Sequence, residues 1–233
     1  MTQPRATIRH PAQPRRALLA AVAVTAALLL GPAPARAAVP DIDPAVRKVR
    51  IETSQGSFVI LLERDRAPLT TLNFLNYVKI GYYNGTIFHR VISNFVIQGG
   101  GYDEKFAAKE VGGPVPNESG NGLSNKRGTV GLARSEPPHS GNAQFYVNLT
   151  DNDELDPTPL RWGYAVFGRI IEGMDVVDRI GRTPTGPVGP WPKDAPLESV
   201  VIKHAEMISD GAAASPAGAP APAAPPPGKP PAK

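Results

Sequence analysis

The chain has 233 residues, 41% hydrophobic and 20% charged, with no cysteine, so no disulfide can support it and its stability must rest on a buried core. Its formal charge of +4 belongs to the leading residues: positions 1–37 hold five of the 25 lysines and arginines and none of the 21 acids, leaving 20 basic against 21 acidic residues, a net −1, in the remainder. That balance gives no reason to expect nucleic acid or an anionic membrane as a partner.

Residues 1–37 read as a secretory signal peptide. Arg5, Arg9, Arg15 and Arg16 precede an apolar run from Ala17 to Leu30, then Gly31-Pro32 and the small-residue site Ala35-Arg36-Ala37, with cleavage expected before Ala38. The apolar run is too short and too alanine-rich for a stable membrane span. Arg15-Arg16 meets the minimum of a twin-arginine signal, but paired arginines also occur in plain leaders, and ordinary Sec export is the preferred reading. A periplasmic or secreted location follows. Residues 38–48 form a lead-in to a single domain expected over 49–208.

Within that domain, Val49–Thr53 and Ser57–Leu62 read as strands joined at Gln55-Gly56. From Pro68 to Ile80 the apolar period changes to that of a helix, opened by Pro68 and closed by Gly81. Strands resume at Ile87–Val91 and Phe95–Gln98, with Ser93-Asn94 as a tight connection. Tyr102 to Arg127, rich in glycine, proline, asparagine and charge, reads as a long loop. Gly128–Ala133, Gln144–Leu149 and Ala165–Ile170 follow as strands, Gly173–Ile180 as a short helix and Leu197–Ile208 as the closing strand. Many short strands with a helix near each end predict a mostly β protein, a closed antiparallel eight-stranded β-barrel capped by two α-helices. Residues 209–233 read as a disordered or polyproline-like tail, since 17 of the 23 residues from Gly211 are alanine or proline.

The run Phe88-His89-Arg90-Val91-Ile92-Ser93-Asn94-Phe95-Val96-Ile97-Gln98-Gly99-Gly100-Gly101 sets one arginine and one glutamine among large apolar side chains. It resembles the signature of the cyclophilins, the barrel-type peptidyl-prolyl cis–trans isomerases. Gly128-Thr129-Val130-Gly131-Leu132-Ala133-Arg134, Gln144-Phe145-Tyr146-Val147-Asn148 and Gly163-Tyr164-Ala165-Val166-Phe167-Gly168 match further family blocks in order, and the resemblance spans about Val49 to Met207.

By that resemblance Arg90 is the catalytic donor. Phe95, Val96, Tyr146 and Leu155 would hold the proline ring, while Gln98 and Gln144 bind substrate backbone. Ala133 and Arg134 would line the adjoining peptide groove, and Tyr164 would close one side. The resemblance implies proline-containing peptides as partners, and with the leader it suggests unfolded exported proteins; the chain carries no Gly-x-Ser-x-Gly, Walker loop or His-Glu-x-x-His motif, so no cofactor and no metal are expected. Nothing in the sequence demands more than a monomer. The runner-up is a non-catalytic proline-peptide-binding module or holdase chaperone, and retention of Arg90 favours the enzyme. Glu154 stands where the better-known eukaryotic pattern has the tryptophan that contacts cyclosporin, so only weak cyclosporin binding is expected.

Each residue also has a plainer reading. A lone arginine on a strand is ordinarily an exposed charge, and Phe95, Val96 and Leu155 could be ordinary core; the family blocks lift them above that. His89 neighbours Arg90 on a strand, so alternation sends it to the opposite face as a structural, hydrogen-bonded histidine. The acidic run Asp151–Asp156 hints at a calcium loop but lacks glycine at its sixth position and glutamate at its twelfth.

Overall fold

The computed structural model describes residues 42–208. The stretch read as a signal peptide, residues 1–37, and the Ala/Pro-rich tail read over 209–233 both lie outside the described residues.

In chain order the elements are β1 (Lys48–Thr53), β2 (Gly56–Leu62), α1 (Pro68–Lys79), β3 (Thr86–Ile87), β4 (Arg90–Ile92), β5 (Val96–Gly99), β6 (Thr129–Leu132), β7 (Phe145–Asn148), a 3-10 turn (Asp153–Leu155), β8 (Val166–Glu172), α2 (Met174–Gly181), β9 (Thr185–Val188), β10 (Trp191–Pro196) and β11 (Val201–Ile208). Among the described residues, nine strands form one antiparallel sheet in the order β3-β11-β1-β2-β8-β6-β7-β5-β4, and β9 and β10 form a separate hairpin.

The expectation of a closed eight-stranded barrel is therefore corrected. The ladder has nine strands and stays open. Its two edge strands, β3 and β4, are separated in the chain only by Phe88-His89, so the sheet must curl until its ends approach, yet no ladder joins them. Ile87 instead donates from its N–H to the carbonyl of Tyr102 (2.9 Å) and accepts from the N–H of Gly100 (3.3 Å). The single strand expected over Ile87–Val91 is thus two short ones. The β9–β10 hairpin was not expected, because Pro187, Pro190, Pro192 and Pro196 make that stretch read as loop.

Residues with inward side chains fill the curl. Phe74 of α1 lies with its ring centroid 5.2 Å from Tyr83, 5.6 Å from Phe145 and 5.1 Å from Phe167, within a buried cluster that includes Ile51, Ile60, Leu75, Ile97, Val130, Val147 and, from α2, Val177 and Ile180. Ala67, at the N-terminal boundary of α1, has no side chain able to cap it. The carboxylate of Glu118 does so from the long loop, accepting from the N–H groups of Leu69 (3.1 Å) and Thr70 (2.8 Å) and from the Thr70 hydroxyl (2.7 Å). That loop is thereby tied to the helix by a carboxylate at its positive end.

Candidate active site

Alternation along four neighbouring strands assembles the site on the outer face of the sheet. Register places Arg90 opposite Gln98, Gln98 opposite Tyr146, and Tyr146 opposite Gly131. These four residues make one row across β4, β5, β7 and β6. Their chain neighbours Val91, Ile97, Val147 and Val130 point the other way, into the core. The row needs a residue without a side chain at its far end: a Cβ on Gly131 would fall 2.2 Å from the Tyr146 ring and hydroxyl. Tyr146 can lie across β6 only because glycine is there.

A cavity of about 310 Å³ opens over this row, lined by Arg90, Phe95, Val96, Gln98, Ala133, Arg134, Tyr146, Leu155 and Tyr164. The structure thus brings together nine of the ten residues named from sequence. The tenth, Gln144, lines an adjoining cavity of about 290 Å³ together with Gln98, Ala133 and Arg134, and its side-chain carbonyl accepts from Gln98 Nε2 at 3.0 Å. Val96, Ala133 and Tyr146 form an apolar floor separate from the main core, with Phe95, Leu155 and Tyr164 packed at its edge.

Phe95 reaches the cavity because it sits in a turn. Ile92 pairs with Val96, leaving Ser93, Asn94 and Phe95 as a three-residue hairpin loop in which Asn94 takes φ 57°, a conformation asparagine tolerates. The Phe95 carbonyl is pinned by the N–H of Leu149 (2.8 Å) and by Asn152 Nδ2 (3.0 Å). The Arg90 guanidinium lies 5.8 Å from the Phe95 ring centroid and donates weakly to Gln98 Oε1 at 3.4 Å. Arg90 lines the cavity with most of its donors not engaged by other described residues.

Beneath the floor lies a polar network that sequence reasoning missed. The Tyr146 hydroxyl donates to Asn125 Oδ1 at 2.5 Å, and Asn148 Nδ2 donates to the same oxygen at 3.2 Å. Asn125 donates from its backbone (2.7 Å) and its amide (2.8 Å) to Asp156 Oδ1, and Asn152 donates to Asn148 Oδ1 at 2.7 Å. Burial pushes the Tyr146 phenol well above its ordinary value, with Tyr164 and Asp156 adding to the effect, so it is a neutral donor. The only signal for this network was three asparagines that end up buried, and one sequence does not separate those from exposed ones. The acidic run that hinted at calcium is engaged elsewhere: Asp156 serves Asn125, while Lys126 Nζ lies 2.6 Å from Asp153 and 3.4 Å from Asp151.

Arg134 borders both cavities, but its donors turn away from them. Nε donates to Gly163 O (3.2 Å), Nη1 to the carbonyls of Ser135 (2.9 Å) and Glu136 (3.0 Å), and Nη2 to Trp162 O (3.0 Å). The guanidinium stacks 4.5 Å from the Tyr164 ring centroid. It offers a flat surface to the groove and holds Tyr164 in place.

His89 does lie on the opposite face, 5% exposed and packed on Tyr102 and Trp191 at 4.8 and 5.4 Å between ring centroids. Its expected hydrogen bond is not observed at Nδ1, which has no partner. Burial, and secondarily the neighbouring Arg90 charge, lower its pKa from 6.5 to about 4.

A curled antiparallel sheet that keeps its aromatic core inside and sets an arginine beside a cavity with an apolar floor outside defines a β-rich protein with an open groove on its outer face. Comparison with known proteins places it more closely. The family model described as "Cyclophilin type peptidyl-prolyl cis-trans isomerase/CLD" matches residues 48–207. Peptidyl-prolyl cis-trans isomerase cyp18 of Streptomyces antibioticus is 48% identical over 163 residues, covering 69% of this chain and 98% of the relative. Peptidyl-prolyl cis-trans isomerase B of Escherichia coli K12 is 46% identical over 162 residues, covering 68% and 98%. Among solved structures, a cyclophilin-type isomerase of Cryptosporidium parvum, crystallised in the presence of the dipeptide Ala-Pro, superposes with a TM-score of 0.58 at 26% identity, over 70% of this chain and 99% of that one. The chain belongs to the cyclophilin-type peptidyl-prolyl cis–trans isomerases.

Proposed function

We propose that the groove over β4, β5, β6 and β7 accelerates rotation about Xaa–Pro bonds and that Arg90 supplies the catalytic contact. Rotation is slow because amide resonance sets a barrier of about 18–20 kcal/mol. In the twisted state resonance is lost and the prolyl nitrogen regains a lone pair, so a donor fixed there stabilises the transition state more than either planar form. The carrying observation is Arg90 itself, held in line with Gln98 at the edge of a cavity of about 310 Å³ with an apolar floor, which is at the small end of ligand pockets and suited to one ring. Phe95, Val96, Tyr146 and Leu155 would grip the prolyl ring, Gln98 and Gln144 would hold the flanking peptide, and Ala133, Arg134 and Tyr164 would form the walls.

The leader read in residues 1–37 favours exported, unfolded proteins as the substrates, in the periplasm or outside the cell. A protease-coupled assay on a short Xaa–Pro peptide is the test: turnover above the uncatalysed rate is expected, and none would favour the non-catalytic binding module or holdase. Glu154 lies exposed in the 3-10 turn and does not reach the cavity. Cyclosporin should therefore bind weakly, and Glu154→Trp should tighten it by supplying aromatic area and an indole donor; titration calorimetry on both proteins decides.

A further inference from the structure

The ten residues from Leu155 to Tyr164 form a closed loop. The Tyr164 N–H donates to the Leu155 carbonyl at 2.9 Å, so both ends meet at the wall of the cavity beside Arg90. The middle of the loop, Pro157 to Trp162, faces a third depression, of about 380 Å³, bordered by Ser119 and Gly120. There Leu160 is 98% exposed and Trp162 is 47% exposed.

This loop is stiff. Pro157 and Pro159 fix their own φ angles. Thr158 and Arg161 exchange backbone bonds of 2.9 and 3.2 Å, and Arg161 Nη2 donates to the carbonyls of Glu154 (2.6 Å) and Asp156 (3.0 Å). From outside, Arg134 holds the Trp162 carbonyl and Ser119 Oγ accepts from the Gly163 N–H at 3.2 Å. A Cβ on Gly163 would fall 2.4 Å from the Pro157 nitrogen, so the loop closes this tightly only with glycine there. The Trp162 ring is steadied by His139, 5.1 Å away between centroids, so a compact loop that rigidly presents a leucine and the open half of an indole is a preformed contact surface, since little ordering remains to oppose binding.

We propose that this loop is a second contact for unfolded polypeptide: while an Xaa–Pro bond lies beside Arg90, the chain running past Tyr164 lays an apolar side chain against Leu160 and Trp162. The proposal rests on the isomerase reading above and extends it from the proline to the chain around it. Two observations point to this occupant. The surface is continuous with the groove, because Leu155 and Tyr164 line the cavity, close the loop, and are tied to it through Arg134. The depression is bordered by no carboxylate, and its one cation, Arg161, is turned onto carbonyl groups, which suits an uncharged apolar segment.

The test compares two substrates on the full chain: a tetrapeptide containing one proline, and the proline-limited refolding of a reduced, alkylated ribonuclease. The Leu160→Ser, Trp162→Ser double variant should lower kcat/KM for refolding about tenfold, through KM, as two apolar contacts are lost, with the tetrapeptide rate unchanged. Leu160→Ser alone, at a position too exposed to support the fold, should show the same direction with a smaller effect. Unchanged refolding efficiency overturns the proposal, and so does a parallel loss on both substrates with a lowered melting temperature, which would make the loop structural. Self-association that Leu160→Ser abolishes without altering refolding would assign the surface to a second copy and also overturn it. A wild-type chain idle on the tetrapeptide would instead defeat the isomerase reading, so the two failures are distinct.

Discussion

The inner and outer faces of β5 and β7 are built from adjacent residues and do opposite work. Ile97 and Phe145 point inward, fully buried among rings and branched aliphatics, where nothing need be specific beyond shape. Gln98 and Tyr146, one position along, point outward and meet partners one at a time: Gln144 and Arg90 for the first, Asn125 for the second. The lesson is that a period of two lets one strand carry stability and chemistry in alternate residues, so that a change on one face should leave the other largely intact.

Phe145→Ala tests the inner face. Removing a ring that touches Phe74, Tyr83 and Phe88 should destabilise the fold by about 3–5 kcal/mol, seen in denaturant melts, while the molecules still folded keep near-normal turnover. Arg90→Ala is its counterpart outside. It should lower kcat/KM on a proline peptide by about 10²–10³ with little change in melting temperature, and Arg90→Lys should recover only part, because an ammonium lacks the planar donor geometry. The cavity lining contains no His, Cys, Asp or Glu, so the wild-type rate should stay flat from about pH 6 to 9; a bell-shaped profile there would break the assignment.

His89 sharpens the comparison, since it sits beside Arg90 but belongs to the packed face. The folded protein keeps it neutral down to about pH 4, whereas an imidazole in the unfolded chain charges near 6.5. The unfolded state therefore takes up its proton first, and stability should fall as pH drops from about 6.5 to about 4, by up to about 3 kcal/mol. Urea melts across that range should show the slope, and His89→Phe should remove most of it. The smallest effect is expected from Tyr146→Phe. It deletes one buried hydrogen bond to Asn125, which keeps Asn148 as a donor, so a loss of about 1 kcal/mol is expected, with a modest rise in KM as the cavity floor loosens.

Much of the site was legible in the chain because its chemistry is local. Arg90, Phe95, Val96 and Gln98 fall within nine residues around one hairpin, and the blocks holding Ala133, Arg134, Gln144, Tyr146 and Tyr164 keep recognisable composition, with Leu155 lying between two of them. The β9–β10 hairpin was hidden because its prolines mask a pairing that is supported from outside the hairpin, where Trp191 packs on His89, Tyr102 and Phe106. Arg134 was placed along the groove by resemblance, and it does line both cavities, but the sequence held no sign of where its donors would go. Its carbonyl partners at Ser135 and Glu136 and at Trp162 and Gly163 are set by loop closure, which residue type does not encode.

By itself the sequence determined the alternation of the strands and the two helices, which follow from hydrophobic period, while the family and the side chains named around the groove came from motifs that resemble the cyclophilins. Tertiary structure decided whether the sheet would close, how Arg134 would be used, and which polar residues would be buried. Those outcomes depend on pairings between segments far apart in the chain, such as Asn125 with Tyr146 and Glu118 with the start of α1. Such pairings are fixed by the need of each buried donor and acceptor for a partner, a condition that can be checked only once the chain has folded back on itself.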